Sequence, residues 1–256
     1  RPEDVIYSYV RAVTLNKSGA FILNVLGWQP ENIASQLKKI DDHTVQVQWS
    51  ADVSPALALN ILSTPIASIV DEKLVAPNAK NNDFGNEWLK MHSAGSGAFK
   101  MRTYQPHQAI VMEANASSPT GAPKLKSVII KNVPDPATRR LLLQQGDADM
   151  ARDLGADQID ALQGKPGVKV MSIASAEQNY LAFNTGNKDN PLMSNPAFWE
   201  AARWLVDYDG ITKNLLKGQY FTHQSFLPVG FPGALEETPF TFNPAKAKEI
   251  LAKARS

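Results

Sequence analysis

The chain begins with apolar positions at helical spacing. Val5, Ile6, Tyr9, Val10 and Val13 fall on one stripe of a 3.6-residue repeat, which predicts a helix over 5–13. It starts within the first four residues, where Pro2, Glu3 and Asp4 suit a first turn. An amphipathic stretch follows and stops at a turn, Gln29-Pro30-Glu31. His43 to Trp49 then alternates, with Val45, Val47 and Trp49 on one side and Thr44, Gln46 and Gln48 on the other. That is the period of a half-buried strand, fed by a turn at Asp41-Asp42. Ser54-Pro55 pairs an N-cap with a proline at the first helical position, so a helix runs through Leu57 and Ile61. Residues 76–86 are polar and turn-rich and read as a surface excursion.

From Gly95 the period shortens. Ala98–Tyr104 and Ile110–Ala114 read as strands, and Val128–Val133 as a third, whose run Val128-Ile129-Ile130 suits burial on both faces. Asp135-Pro136 opens a helix through Leu141–Leu143, and Gly146 is placed to end it. A short strand at Asp147–Ala151 and a short helix at Asp157–Gln163, closed by Gly164, come next. Val168–Ile173 and Tyr180–Asn184 read as two more strands, so the order predicts an α/β layer with parallel pairing. After the loop 186–191, helices are predicted over Pro196–Val206 and Asp209–Leu216, the second ended by Gly218. A Pro/Gly-rich stretch fills 227–233, and a last helix starts at Asn243-Pro244 and reaches Ala254. No internal repeat is visible.

Composition narrows the possible chemistry. The 256 residues are 43% hydrophobic, enough for a sizeable core. Twenty-six basic and 25 acidic residues leave a formal charge of +1, with no run of five like charges, so neither nucleic acid nor an anionic membrane is indicated. No apolar run reaches the ~18 residues of a spanning helix. The absence of cysteine excludes thiol catalysis, iron–sulfur clusters and disulfides. His43, His92, His107 and His223 show no metal-ligand spacing, so no metal and no cofactor are expected. Gly95-Ser96-Gly97 lacks the third glycine of a dinucleotide loop and leads into a strand; it reads as a tight turn needing positive φ. Asp147, Asp149 and Asp153, like Asp207 and Asp209, suit solvated turns and caps better than an acid–base pair.

Six blocks carry a resemblance. Glu3-Asp4-Val5-Ile6-Tyr7-Ser8 resembles the acidic helix start of family 5 of the bacterial extracellular solute-binding proteins. Gly95-Ser96-Gly97-Ala98-Phe99-Lys100 resembles its Gly-Thr-Gly-Pro-Tyr block, and Gln145-Gly146-Asp147-Ala148-Asp149 its Gly-Asp turn. Tyr180-Leu181-Ala182-Phe183-Asn184-Thr185 is similar to its crossover strand. Ala201-Ala202-Arg203-Trp204-Leu205-Val206-Asp207 and Asn243-Pro244-Ala245-Lys246-Ala247 are similar to two later helix blocks. Each block alone is weak; six in the family's order are specific. Ala98 departs from the family's proline, and Trp199 stands where the family often has arginine.

The resemblance implies a mixed α/β fold, a periplasmic binding protein type II-like lobe with a peripheral α+β segment and the start of a second lobe. Residues 1–92 would belong to the peripheral domain, 93–182 to the main α/β lobe and 183–256 to the second. Family members are longer chains, so this one reads as a central fragment. The implied function is that of the substrate-binding component of an ABC importer, not an enzyme. It would capture peptides or peptide-like solutes by two-lobe hinge closure and work as a monomer with the permease and ATPase subunits. The implied location is periplasmic or lipid-anchored outside the cytoplasmic membrane, with the signal sequence outside this chain. The implied ligand-facing residues are Arg152, Asp153, Gln178, Asn179 and Tyr180, with Ala182, Phe183, Asn184 and Thr185 as the hinge. Arg152 suits a ligand carboxylate and Asp153 an amine, although the two could equally pair with each other at the surface. Leu181 and Phe183, on one face of their strand, could serve packing alone. A hydrolase with a cleft Asp or His, and a sensor or chaperone on the same scaffold, are the alternatives.

Overall fold

The computed structural model describes residues 1–173 and 175–254. The fold is mixed α/β, in two compact units, Arg1–Asn132 and Val133–Ser256. That division follows compactness; the boundaries at 92/93 and 182/183 rest on family resemblance and concern function.

The first unit is built on α1 (Pro2–Leu15), whose proline and two acids occupy the first turn and whose C-cap Asn16 turns left-handed at φ 44°. Its inner face, Tyr9, Ala12 and Val13, packs with single turns α2 (Phe21–Asn24) and α3 (Ile33–Gln36), and with the hairpin of β1 (Leu37–Lys39) and β2 (Val45–Val47). Leu23, Leu26 and Trp28 are fully buried in this core. The Trp28 ring lies 5.4 Å from that of Tyr9, and its Nε1 donates to the Gln48 carbonyl at 2.7 Å, so the one polar atom of the largest core side chain is satisfied. Helix α4 (Pro55–Leu62) adds Ala58 and Ile61, with Ser54 capping the Leu57 amide as expected.

Buried polar residues dock the next segment. Asp4 accepts the Glu72 amide at 2.9 Å and two bonds from Arg1, while Ser8 Oγ donates to the Asp4 carbonyl at 2.6 Å and accepts the Val70 amide at 2.9 Å. The excursion from α5 (Glu72–Val75) to α6 (Asn86–Leu89) is pinned by Asp83, which accepts the amides of Lys80, Gly85 and Glu87. Gly85 holds φ 69°, and a Cβ there would lie 2.5 Å from Val75 Cγ1, so only glycine fits without displacement.

Strands β3 (Phe99–Gln105), β4 (Ala109–Ala114) and β5 (Ser127–Lys131) form one antiparallel sheet, with Tyr104 opposite Ile110 and Ile110 opposite Ile130. All three lie where the sequence predicts them. The expected double burial of the third does not hold: Ile129 and Ile130 are 58% and 51% exposed. β5 is an edge strand among the described residues, and a short apolar run reads alike at an edge and at a centre. Gly95 and Gly97 also depart from expectation, because neither adopts positive φ. Their loop is held by Asn115, whose amide donates to the Ala98 carbonyl and whose Nδ2 donates to that of Gly97.

In the second unit the helices follow the sequence. Asp135 caps α7 (Pro136–Gln145), which ends on Gly146 at φ 81°, and α8 (Ala156–Leu162) follows. α9 (Pro196–Arg203) is shorter than predicted, and the turn Gly210–Leu215 is of the wide π type. α10 (Pro244–Lys253) packs on α9, with its N-cap Asn243 donating to the Trp204 carbonyl at 2.7 Å.

The strands predicted at 147–151, 168–173 and 180–184 have no ladder partners among the described residues, and every ladder present is antiparallel. The reason is physical. A helix closes its own hydrogen bonds within a few residues, whereas a parallel strand depends on neighbours remote in sequence.

Candidate functional site

Helix α7 organises the first candidate segment. Gly146 turns the chain back, and the Asp147 amide donates to the Leu142 carbonyl at 2.9 Å. Residues 147–153 then return to the start of the helix. There Arg139 Nη1 donates to the Val133 carbonyl at 2.6 Å and the Pro134 carbonyl at 2.9 Å, and Nη2 donates to the Asp153 carbonyl at 2.7 Å. The carbonyls of Val133, Pro134 and Asp153 thus meet at one guanidinium.

Arg152 and Asp153 are exposed at this turn, and Asp153 adopts the left-handed conformation at φ 56°. Among the described residues neither side chain enters an ion pair, so the mutual pairing weighed from the sequence is not formed. Tyr180 is 81% exposed and Asn179 is exposed, while Gln178 Nε2 donates to the Ser225 carbonyl at 3.2 Å. No hydrogen bond, ion pair or ring contact among the described residues links the 152–153 turn to 178–180; each stands on its own support.

The hinge candidates divide by role. Phe183 is half-buried, with its ring edge-on to Phe198 at 5.4 Å, whereas its strand-mate Leu181 is 73% exposed. The Thr185 amide donates to the Phe183 carbonyl and the Asn187 amide to that of Asn184, so Asn184 and Thr185 begin a turn. Ala182 is exposed.

Three features escaped sequence reasoning. Asn115 bears no pattern of its own. Arg139 had a signal: a cation near a helix N-terminus opposes the dipole and therefore has another task. Lys217 bridges Asp157 at 2.7 Å and Asp160 at 2.8 Å, and its ammonium, through its hydrogen bond and then its charge, holds the Asp157 carboxyl below the usual range. Asp157 and Asp160 are three apart on α8 and share a face, which is legible, but their partner lies remote in sequence.

Two of the histidines, His92 and His223, lie against main-chain carbonyls. His92 stacks on Trp88 with rings 4.3 Å apart and places Nδ1 2.8 Å from the Trp88 carbonyl, and His223 Nε2 lies 2.7 Å from the Leu227 carbonyl. Trp199 and Trp204 are both half-buried, and their indole N–H groups donate to the Met193 carbonyl and to Glu200.

Known proteins agree on the family. The sequence model for "Bacterial extracellular solute-binding proteins, family 5 Middle" matches residues 1–256. The probable D,D-dipeptide-binding periplasmic protein DdpA of Escherichia coli K12 is 31% identical over 81% of this chain and 39% of its own length. The glutathione-binding protein GsiB of Shigella flexneri is 26% identical over 88% of this chain and 41% of its own. Among solved structures, the periplasmic binding protein DppA of Helicobacter pylori, in complex with the peptide STSA, superposes with a TM-score of 0.78 at 21% identity, over 98% of this chain and 49% of that one. NikA of Brucella suis, in complex with Fe(III)-EDTA, gives 0.76 at 18%, over 98% of this chain and 48% of that one. This chain thus spans about two fifths of the two curated relatives and about half of the two solved chains. With its full length matched, the chain belongs to family 5 of the bacterial extracellular solute-binding proteins.

Proposed function

We propose that this chain forms part of the solute-capturing component of an ABC importer, taking up peptides or peptide-like solutes outside the cytoplasmic membrane. The family match along the whole chain carries the reading. The named ligands of the two curated relatives, a D,D-dipeptide and glutathione, favour a peptide-like solute. The protein binds without covalent chemistry, acts as a monomer and delivers its solute to the permease and ATPase subunits.

In this reading 1–92 is peripheral, 93–182 is the main lobe and 183–256 begins the second. Arg152 and Asp153 face the ligand with Gln178, Asn179 and Tyr180. Their exposure, and the lack of any ion pair at Arg152 and Asp153 among the described residues, leave those two charges available for ligand termini. Ala182–Thr185 form the hinge. Support comes from the absence, among the described residues, of ladder bonds along 180–184, so that no sheet has to break for a rotation there. Two contacts span 182/183 and would be made or broken by that rotation: Lys217 with Asp157 and Asp160, and Gln178 with Ser225.

Titration calorimetry of the full-length protein against a peptide library tests this. We expect at least one di- or tripeptide to bind, and Arg152→Gln or Asp153→Asn to weaken it. Asparagine is chosen because it tolerates the left-handed conformation that Asp153 holds. Binding that neither substitution changes would remove these residues from the site.

A further inference from the structure

We propose that Arg139 is the positioning residue that fixes the Arg152–Asp153 turn and makes it a reader of charged peptide termini; this rests on the reading of that turn as ligand-facing. Arg139 lies one turn into α7, where its charge opposes the helix dipole, and it makes no ion pair among the described residues. Its two Nη groups donate instead to three main-chain carbonyls, those of Val133, Pro134 and Asp153, at 2.6, 2.9 and 2.7 Å, while Nε is buried without a partner among the described residues. A planar guanidinium can hold acceptors from two segments in fixed relation, which a point-charge ammonium does poorly.

Two consequences follow. The first concerns conformation. Asp153 sits at φ 56°, a region that a residue with a side chain keeps only when its surroundings fix it. The Arg139 bond to its carbonyl is the fixing contact at that residue.

The second concerns recognition. Each of the carbonyls of 133, 134 and 153 has one lone pair engaged by Arg139 and keeps one for a ligand amide. What the turn adds is charge: the Arg152 guanidinium and the Asp153 carboxylate, both exposed. Such a turn discriminates between peptides with ionised termini and the same peptides with blocked termini, and a lost carbonyl tie blurs that discrimination.

The test uses full-length protein, with trialanine and N-acetyl-trialanine amide as probes in calorimetry. Wild type should prefer the free peptide. Arg139→Gln should weaken trialanine about tenfold and leave the blocked peptide nearly unchanged. Arg139→Lys should fall between the two. Asp135→Ala, which removes the α7 cap together with a carboxylate whose charge acts on Arg139, sets an upper bound on the effect of lost helix stability. Equal weakening of both probes by Arg139→Gln, or a loss of selectivity no greater than that of Asp135→Ala, would reduce Arg139 to a structural tie and overturn the proposal. The direct variants separate the two levels. If Arg152→Gln and Asp153→Asn weaken trialanine but Arg139→Gln does not, the positioning inference alone fails. If the direct variants change nothing, or wild type binds neither probe or both equally, the ligand-facing turn fails and the inference falls with it.

Discussion

Residues 1–67 and residues 133–254 treat their apolar side chains in opposite ways. The first stretch closes Tyr9, Val13, Leu23, Leu26, Trp28 and Ile33 into one dry cluster. The second fully buries only Leu162, Ala201 and Ala247 among its described apolar residues, and leaves Met150, Met171, Ile173, Leu181 and Phe226 in contact with solvent. Hydrophobic content does not separate them; partner distance does. The N-terminal core is made by helices and a hairpin that follow one another in the chain. The segments 147–151, 168–173 and 180–184 of the second unit have no ladder partners among the described residues, and Met150, Met171, Ile173 and Leu181 lie on them.

The contrast can be broken most directly by mutation. Leu23→Ala should cost about 2–5 kcal/mol in denaturant unfolding, because it empties a fully buried site, whereas Phe226→Ala should change stability by less than about 0.5 kcal/mol. Comparable losses at both positions would mean that the second unit has a core of its own. Gly85→Ala comes next, at about 1–3 kcal/mol, because both its conformation and the Val75 side chain reject a Cβ.

Hydrogen exchange sharpens the same comparison. Amides of 99–105 and 109–114 should be protected in this chain, while those of 147–151 and 168–173 should exchange rapidly. In the full-length protein the latter should become protected. Rapid exchange there in both would show that these segments never find partners.

The smallest effect belongs to Lys217. Lys217→Gln should lower the melting temperature by no more than about a degree, since the bridge is exposed to solvent. The sign with pH is fixed. The Asp157 carboxyl is held below its ordinary value, so its contribution is present above the unfolded carboxylate range and fades as pH falls through the lower folded value. The difference between variant and parent should stay level above the unfolded carboxylate range and fade as pH falls through the lowered folded value of Asp157. A difference that grew on acidification would contradict the bridge.

This contrast also marks what the sequence could disclose. Helices α1, α4, α7 and α10 were legible because proline, caps and apolar stripes act within one or two turns. Strands β3 and β4 were legible as strands, but not their antiparallel pairing. That 147–151, 168–173 and 180–184 would stand without ladder partners among the described residues was not legible, since an apolar run does not state what lies beside it. At the candidate site the Gly146-Asp147 turn and the charged pair at 152–153 were readable. The Arg139 clasp was hidden because its acceptors are main-chain carbonyls, which every sequence contains.

The carboxamide of Gln224 both donates to the Phe240 carbonyl at 2.8 Å and accepts the Phe240 amide at 2.9 Å. One side chain thereby acts as a strand neighbour and closes the base of everything from 225 to 239. With its ends clamped, such an excursion can be lengthened at an entropic cost that grows only with the logarithm of its length. For protein engineering that is a socket: a fluorescent reporter inserted near Gly233 should leave the α9–α10 pair undisturbed and turn a binding protein into an optical sensor.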